Sequence, residues 1–228
     1  MTIKYYNDMV QGSEEWFAAR CGLLTASEMK YILTPAKLQY AQNDKEKSHL
    51  YELAAQRITK YVEPAYIGDE MLRGHEDELR AKILYNEKYA PLDDCGFITN
   101  DKWGFALGFS PDALVRGGGQ IECKSRRMKF QTETIVGGIL PDEFRIQVQT
   151  GLLVSEQPWC DFVTYCGGMP MMTLRVEPDD IIQKAIIAAA TLFHEKLDKV
   201  IAVYTKRLTE AGARFIPTER VIEKEMFL

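Results

Sequence analysis

The sequence predicts an α/β (α+β) protein in which a mixed central sheet is flanked by helices. Three observations carry this. Apolar residues recur at helical spacing before residue 90 and again after residue 178. Short apolar runs bounded by Gly, Pro and Asn occupy 95–125 and 160–176. One further helical stretch, 141–155, lies between those two strand groups. Strands interleaved with helices in this order build a sheet covered on its faces.

Taken in order, Gly12 to Arg20 opens a helix: Ser13 is placed to cap it, Glu14 and Glu15 suit its first turn, and Trp16 and Phe17 are apolar anchors ahead of Cys21-Gly22. A second helix is expected from Thr25, because Thr25-Ala26-Ser27-Glu28 has the spacing of a capping box and Met29, Tyr31 and Ile32 follow. Residues 36–47 are polar and of mixed charge, and read as a surface loop. Ser48 to Tyr61 carries Leu50, Leu53, Ala54 and Ile58 at helical spacing and stops before Pro64. Asp69 to Tyr89 is the next helix, with Leu79, Ile83 and Leu84 expected on its inner face and Glu78 at the edge of that face. Periodicity does not separate Glu76, Asp77 and Glu78.

Cys95–Asn100 and Trp103–Gly108 read as two strands joined by a polar turn. Asp112 stands in an apolar run that breaks at Arg116-Gly117-Gly118-Gly119 and resumes, alternating, from Gln120 to Lys124, the pattern of a β-hairpin. Pro141-Asp142-Glu143 starts a helix through Ser155 that places Arg145 and Gln149, four apart, on one face. Cys160–Tyr165 and Met171–Val176 form another hairpin around Gly167-Gly168-Met169-Pro170. Pro178 to Thr209 closes the chain with a long amphipathic helix whose apolar face runs from Ile182 through Ile186, Ala189, Leu192, Phe193 and Leu197 to Val203.

At 228 residues and 46% hydrophobic, the chain is long enough to bury a full core, and one domain over 1–228 is expected. It carries no run of about 18 apolar residues, and its first residues are polar and aromatic with no charged-then-apolar leader. A soluble cytoplasmic protein with no membrane partner is expected. Five cysteines at irregular spacing point to reduced thiols, and they lack the spacing of a zinc or iron–sulfur site. The net charge of −5 gives no general attraction to nucleic acid, so basic groups must be concentrated locally; Lys124, Arg126, Arg127 and Lys129 form such a cluster.

The chemistry concentrates in the 108–127 hairpin. Glu122 and Lys124, two apart on a strand, project to one face while Cys123 points away, and the hairpin brings Asp112 alongside. Read alone, an Asp with a Glu-x-Lys is more often a solvated, ion-paired strand face than a site. Here Ile121 and Cys123 are apolar and the charges sit inside a core hairpin. Two carboxylates so placed suit a hard cation such as Mg²⁺, and a lysine beside them offsets charge developing on phosphorus, which together point to phosphodiester hydrolysis. Farther upstream, the Thr25 and Ser27 hydroxyls close after Arg20 make an anion site fit for a terminal phosphate.

SPDALV, IECKS and a helix bearing RIQVQTGLL resemble the core of the PD-(D/E)XK nuclease superfamily, whose fold is restriction-endonuclease-like. With WFAARCGLLTASEM and RGHEDELR upstream, the chain resembles more narrowly the YqaJ-type viral recombinases, the family of the phage lambda exonuclease, from about Trp16 to Tyr165. The resemblance implies that Asp112, Glu122 and the backbone carbonyl of Cys123 are metal ligands, that Lys124 is the catalytic lysine, and that Glu78 is the helix carboxylate completing the site. Gln149 is similar to the family's glutamine on the helix after the motif, and Arg20 and Ser27 match the positions that hold a DNA 5′ phosphate. Segments 36–47 and 125–140 do not match, so Arg126, Arg127 and Lys129 stand as generic contacts to the DNA backbone.

The implied activity is a Mg²⁺-dependent 5′-to-3′ exonuclease, with Mn²⁺ as a substitute and two ions per site. It would digest one strand of linear duplex DNA to mononucleotides and leave a 3′ overhang for phage-type recombination. The resemblance further implies a ring-shaped homotrimer, a single-strand annealing protein as partner, and action in the host cytoplasm. The alternatives are a sequence- or structure-specific endonuclease on the same fold and a non-catalytic DNA-binding assembly protein.

Overall fold

A computed structural model of the chain describes residues 2–64 and 68–220; the remaining parts of the expected domain 1–228 lie outside the described residues. Strand β1 (Ile3–Tyr6) precedes helix α1 (Glu14–Arg20), which Ser13 caps by accepting the Trp16 N–H. Strand β2 (Leu24–Thr25), helix α2 (Met29–Ile32) and helix α3 (Asp44–Thr59) follow, then α4 (Asp69–Lys88). Strands β3 (Leu92–Asp93), β4 (Phe97–Asn100), β5 (Leu107–Phe109), β6 (Ala113–Val115) and β7 (Gln120–Ser125) form the middle of the chain. Helices α5 (Met128–Gly137) and α6 (Asp142–Ser155), strands β8 (Cys160–Tyr165) and β9 (Met172–Val176), and α7 (Asp180–Leu208) complete it.

The expected α/β class holds, but the strands divide into two mixed sheets. One has the order β1-β4-β5-β2, the other β3-β6-β7-β8-β9. Gly104, at a φ of +86°, breaks the extended backbone expected from Trp103, so β5 begins only at Leu107 and Phe105 stacks on His194 instead. Ser110 to Asp112 carries the chain from β5 in the first sheet to β6 in the second.

Hairpin β6–β7 is antiparallel, pairing Ala113 with Ile121, and β7 runs parallel to β8 with Glu122 beside Phe162 and Lys124 beside Thr164. The parallel step requires a crossover, which α5 and α6 supply. The five-stranded sheet has a helix on each face. On one side Ile121, Cys123 and Val163 pack under Ala81 and Tyr85 of α4; on the other, Val148 and Leu152 of α6 pack on Cys160 and Phe162. Strand alternation therefore turns Gln120 and Glu122 toward α6, where the Gln120 side chain accepts the Ser155 hydroxyl at 2.7 Å. A larger core joins the four-stranded sheet to α2, α3, α6 and α7, centred on Leu24, Ile98, Ile146 and Phe193.

Several expected elements move. Helix α3 starts at Asp44, not Ser48, because the Asn43 side chain accepts the Lys45 and Glu46 N–H groups. Thr25 ends a strand against Gly108 and the helix begins at Met29, although Glu28 does reach back to the Thr25 N–H at 2.9 Å as a capping box would. Helix α5, unread in the sequence, fills 128–137. Leu192 and Val203 of α7 lie outside its buried stripe.

Helix α4 is turned relative to expectation. Leu79 and Ile83 are exposed, 61% and 58%, and the inner stripe is Asp77, Ala81 and Tyr85, spaced by four. The small Ala81 lets the helix lie close on β7. Its polar neighbours find partners there: the Tyr85 hydroxyl donates to Asp161 at 2.6 Å and Ser125 donates to Asp77 at 2.6 Å. A polar inner stripe leaves no apolar period to read.

The hairpin turn gives a direct test of this construction. Gly117 and Gly119 both hold positive φ, +97° and +94°, but a Cβ on Gly117 meets nothing within 4 Å whereas one on Gly119 would fall 2.4 Å from the Trp159 ring. Gly117→Ala is expected to cost about 1 kcal/mol of backbone strain, and Gly119→Ala about 2–4 kcal/mol. Urea unfolding of both variants measures the difference.

Candidate active site

Three elements bring charged side chains to the end of β7. Asp112 is half-buried just ahead of β6, and its Oδ2 accepts the Cys123 N–H at 2.5 Å; the carbonyl of neighbouring Pro111 is held by Gln11 at 2.8 Å. Glu122 is 2% exposed. Its Oε1 receives Lys124 Nζ at 2.5 Å and Gln147 Nε2 at 2.6 Å, while its buried Oε2 has no partner among the described residues. Glu78 arrives from α4, partly buried, and shares with Asp112 a cleft of about 460 Å³ walled by residues 7–11, His75 and Lys82.

The electrostatics follow from crowding carboxylates in a poorly solvated place. Burial pushes the Asp112 carboxyl well above its ordinary range, and the nearby Glu122 and Glu78 charges push it further. Glu78 is raised for the same first reason, burial, partly offset by Lys82 and His75. Burial alone would favour a neutral Lys124 amine, but the Glu122 and Asp112 carboxylates outweigh it and raise its pKa, so it stays an ammonium.

Asp112, Glu122 and Glu78 suit a cation by their chemistry. They are oxygen donors whose mutual repulsion a divalent ion would relieve, and Glu122 offers a buried oxygen without a hydrogen-bond partner. Among the described residues, no three His, Cys, Asp or Glu side chains are gathered as a ready chelate. In this arrangement Lys124 takes up the other Glu122 oxygen.

Arg20 and Ser27 both reach the Thr25 hydroxyl. The Arg20 guanidinium lies 4.3 Å from the centroid of the Trp16 ring and donates to Ser110 and Thr25 hydroxyls, each at 3.3 Å; the Ser27 hydroxyl is 3.3 Å from that of Thr25. Burial lowers the Arg20 pKa, partly offset by Glu28, yet a guanidinium so far above neutrality remains charged. Ser110, not singled out in the sequence, thus links the Arg20 cluster to Asp112, two residues on.

The profile of the YqaJ-like viral recombinase domain matches residues 15–158, more than half of the chain. The chain belongs to the YqaJ-like viral recombinase family. Among solved structures, an alkaline exonuclease from Laribacter hongkongensis, LHK-Exo, is similar at 30% identity and a TM-score of 0.76, covering 86% of this chain and 98% of that one. The same enzyme in complex with dAMP matches at 29% identity, a TM-score of 0.72 and the same coverage. A phage-related exonuclease from Haemophilus somnus 129PT shares the fold, with 15% identity, a TM-score of 0.52, and 80% of this chain and 96% of that one covered. No curated protein matches the chain. The fold is that of the PD-(D/E)XK exonucleases.

Within this YqaJ-like chain the structure corrects two readings of the sequence. Gln149 is not at the carboxylates: it is buried, donating to the Glu177 carbonyl at 2.8 Å and accepting the Asp179 N–H at 2.9 Å, and so ties α6 to the start of α7. The glutamine on Glu122 is Gln147. Two residues on a helix differ by about 200° in direction, so only one of the pair in RIQVQ can face β7. Gln147 follows Phe144 by three and lies on the side packed against the sheet; that relation was the available signal.

Arg126 is the second correction. Its side chain is only 9% exposed, paired with Glu143 at 2.6 Å and 5.1 Å from the Phe144 ring centroid, so in this arrangement it is held against α6 rather than presented to solvent. Arg127 and Lys129 are exposed, with Lys129 over the Phe130 ring at 5.5 Å.

Two measurements check the site. Gln147→Ala is expected to slow turnover at least 10-fold with little change in melting temperature; Gln149→Ala should instead cost about 1–3 kcal/mol of stability while the folded fraction keeps its turnover. For Asp112, a raised folded pKa means that its contribution to stability is present at low pH and lost as pH rises through that pKa. Asp112→Asn should therefore raise the melting temperature of metal-free protein at pH 8, with the gain shrinking toward pH 4.

Proposed function

We propose that this DNA exonuclease is metal-dependent and digests one strand of linear duplex DNA from its 5′ end, as a single catalytic domain over 1–228, releasing mononucleotides and leaving a 3′ overhang. One observation carries the polarity and the product size. Ser110, which accepts from Arg20, and the carboxylate Asp112 are two residues apart in the chain, hence no more than roughly 7 Å between their Cα atoms. A 5′ phosphate held by Arg20, Thr25, Ser27 and Ser110 would leave the next phosphodiester at Asp112 and Glu122, one nucleotide in. The dAMP complex of LHK-Exo supports a mononucleotide product.

Asp112, Glu122 and the Cys123 carbonyl would hold Mg²⁺, or Mn²⁺ in its place, with Glu78 completing a two-ion site. When bound, the metal supplies a polarised phosphodiester and a water acidified toward neutrality. The protein's own groups do the rest. Lys124, kept protonated by Glu122 and Asp112, faces the same strand end and offsets charge developing on phosphorus. Gln147 fixes the Glu122 carboxylate, and the Arg20 cluster sets which phosphate reaches the site. A net charge of −5 makes diffuse attraction to DNA weak, which favours a ring-shaped homotrimer enclosing the duplex. The viral recombinase family favours a single-strand annealing protein as partner and action in the host cytoplasm.

Linear duplex labelled at its 5′ or 3′ end, incubated with closed circles in Mg²⁺ or EDTA, tests the reading. Early release of the 5′ label as mononucleotide, in Mg²⁺ only and with circles intact, is expected. Cut circles would move the activity to an endonuclease, and no cleavage in any metal would leave a binding scaffold. Glu122→Ala should abolish hydrolysis with DNA binding kept, and Arg20→Ala should erase the preference for 5′-phosphorylated over 5′-hydroxyl ends.

A further inference from the structure

Immediately after Lys124, two consecutive residues tie β7 to the helices on its two faces. Ser125 points to the α4 side and donates its hydroxyl to Asp77 Oδ2 at 2.6 Å. Arg126 points to the α6 side and pairs with Glu143 at 2.6 Å, its backbone N–H donating to the Tyr165 carbonyl at 2.7 Å. Asp77 is 8% exposed, which is an expensive place for a carboxylate unless the bond it makes is needed. It is also the residue directly before Glu78, just as Ser125 directly follows Lys124. The Asp77–Ser125 bond therefore joins the backbone segment that carries Glu78 to the one that carries Glu122 and Lys124.

We propose that Asp77 and Ser125 are positioning residues of the exonuclease: their bond holds the α4 carboxylate Glu78 in register with the β7 carboxylate and lysine, so that the three-carboxylate cation site assembles. This inference rests on the metal-site reading above. Periodicity and packing do not require the bond, because Ala81 and Tyr85, one and two turns on, already seat α4 on the sheet. Tyr85 makes a tie of the same kind to Asp161, at 2.6 Å, but two turns from Glu78. The two ties separate register at the site from attachment of the helix.

The test compares Ser125→Ala, Ser125→Thr and Tyr85→Phe in the full chain. Mn²⁺ binding to the DNA-free, metal-stripped protein is read by electron paramagnetic resonance, and kcat and KM on linear duplex are read in Mg²⁺. Ser125→Ala is expected to weaken Mn²⁺ binding 5-fold or more and to lower kcat 10-fold or more, with KM for DNA unchanged. Ser125→Thr, which keeps the hydroxyl, should restore both. Tyr85→Phe should lower the melting temperature with Mn²⁺ affinity and kcat unchanged. Mn²⁺ affinity and kcat within 2-fold of the parent in Ser125→Ala would overturn the proposal, as would an equal loss in Tyr85→Phe. Failure of the metal-site reading looks different: Glu122→Ala would then keep its activity and its Mn²⁺ binding.

Discussion

The end of β7 depends on a buried charge pair. Glu122, almost fully buried, and Lys124, two residues on, share one face of a strand that is covered by a helix on either side. A carboxylate in that position is tolerable only with its partners, and each comes from a different part of the chain: the Lys124 ammonium from the same strand and the Gln147 amide from α6, with Asp112 held nearby by a β7 backbone amide. Removing one partner would leave the others uncompensated. The surrounding fold keeps that group together.

That requirement explains the arrangement of layers. The parallel β7–β8 step demands a crossover, and the crossover delivers α6 to the face that Glu122 occupies. The opposite face receives α4, whose inner stripe is polar where it meets the site and aromatic farther on. The divided sheet matters as well. The passage from β5 to β6 places Ser110 within reach of Arg20 and Asp112 within reach of β7, so one short segment serves both clusters.

The crowding of carboxylates carries a cost in the metal-free protein. Asp112 and Glu78 both resist ionisation because burial and neighbouring charge oppose it. Sites whose groups are pushed away from their ordinary pKa are often functional sites, and here the same repulsion is what a divalent cation would relieve. Stability and cation affinity are thus set against each other in the same residues.

Much of this was legible in the chain before any fold was known. The hairpin around Arg116–Gly119, which brings Asp112 to a β7 backbone amide, and the helix from Asp142 are local, governed by strand alternation and turn chemistry that act over a few residues. Tertiary structure alone decided the inward face of α4, the split into two sheets, the choice of Gln147 over Gln149, and the withdrawal of Arg126 into a pair with Glu143. The physical reason is common to these cases. Each depends on which polar groups find partners across the fold, and a polar side chain carries no period that announces its partner. Apolar periodicity marks what must be buried, whereas packing determines which charges are buried with it.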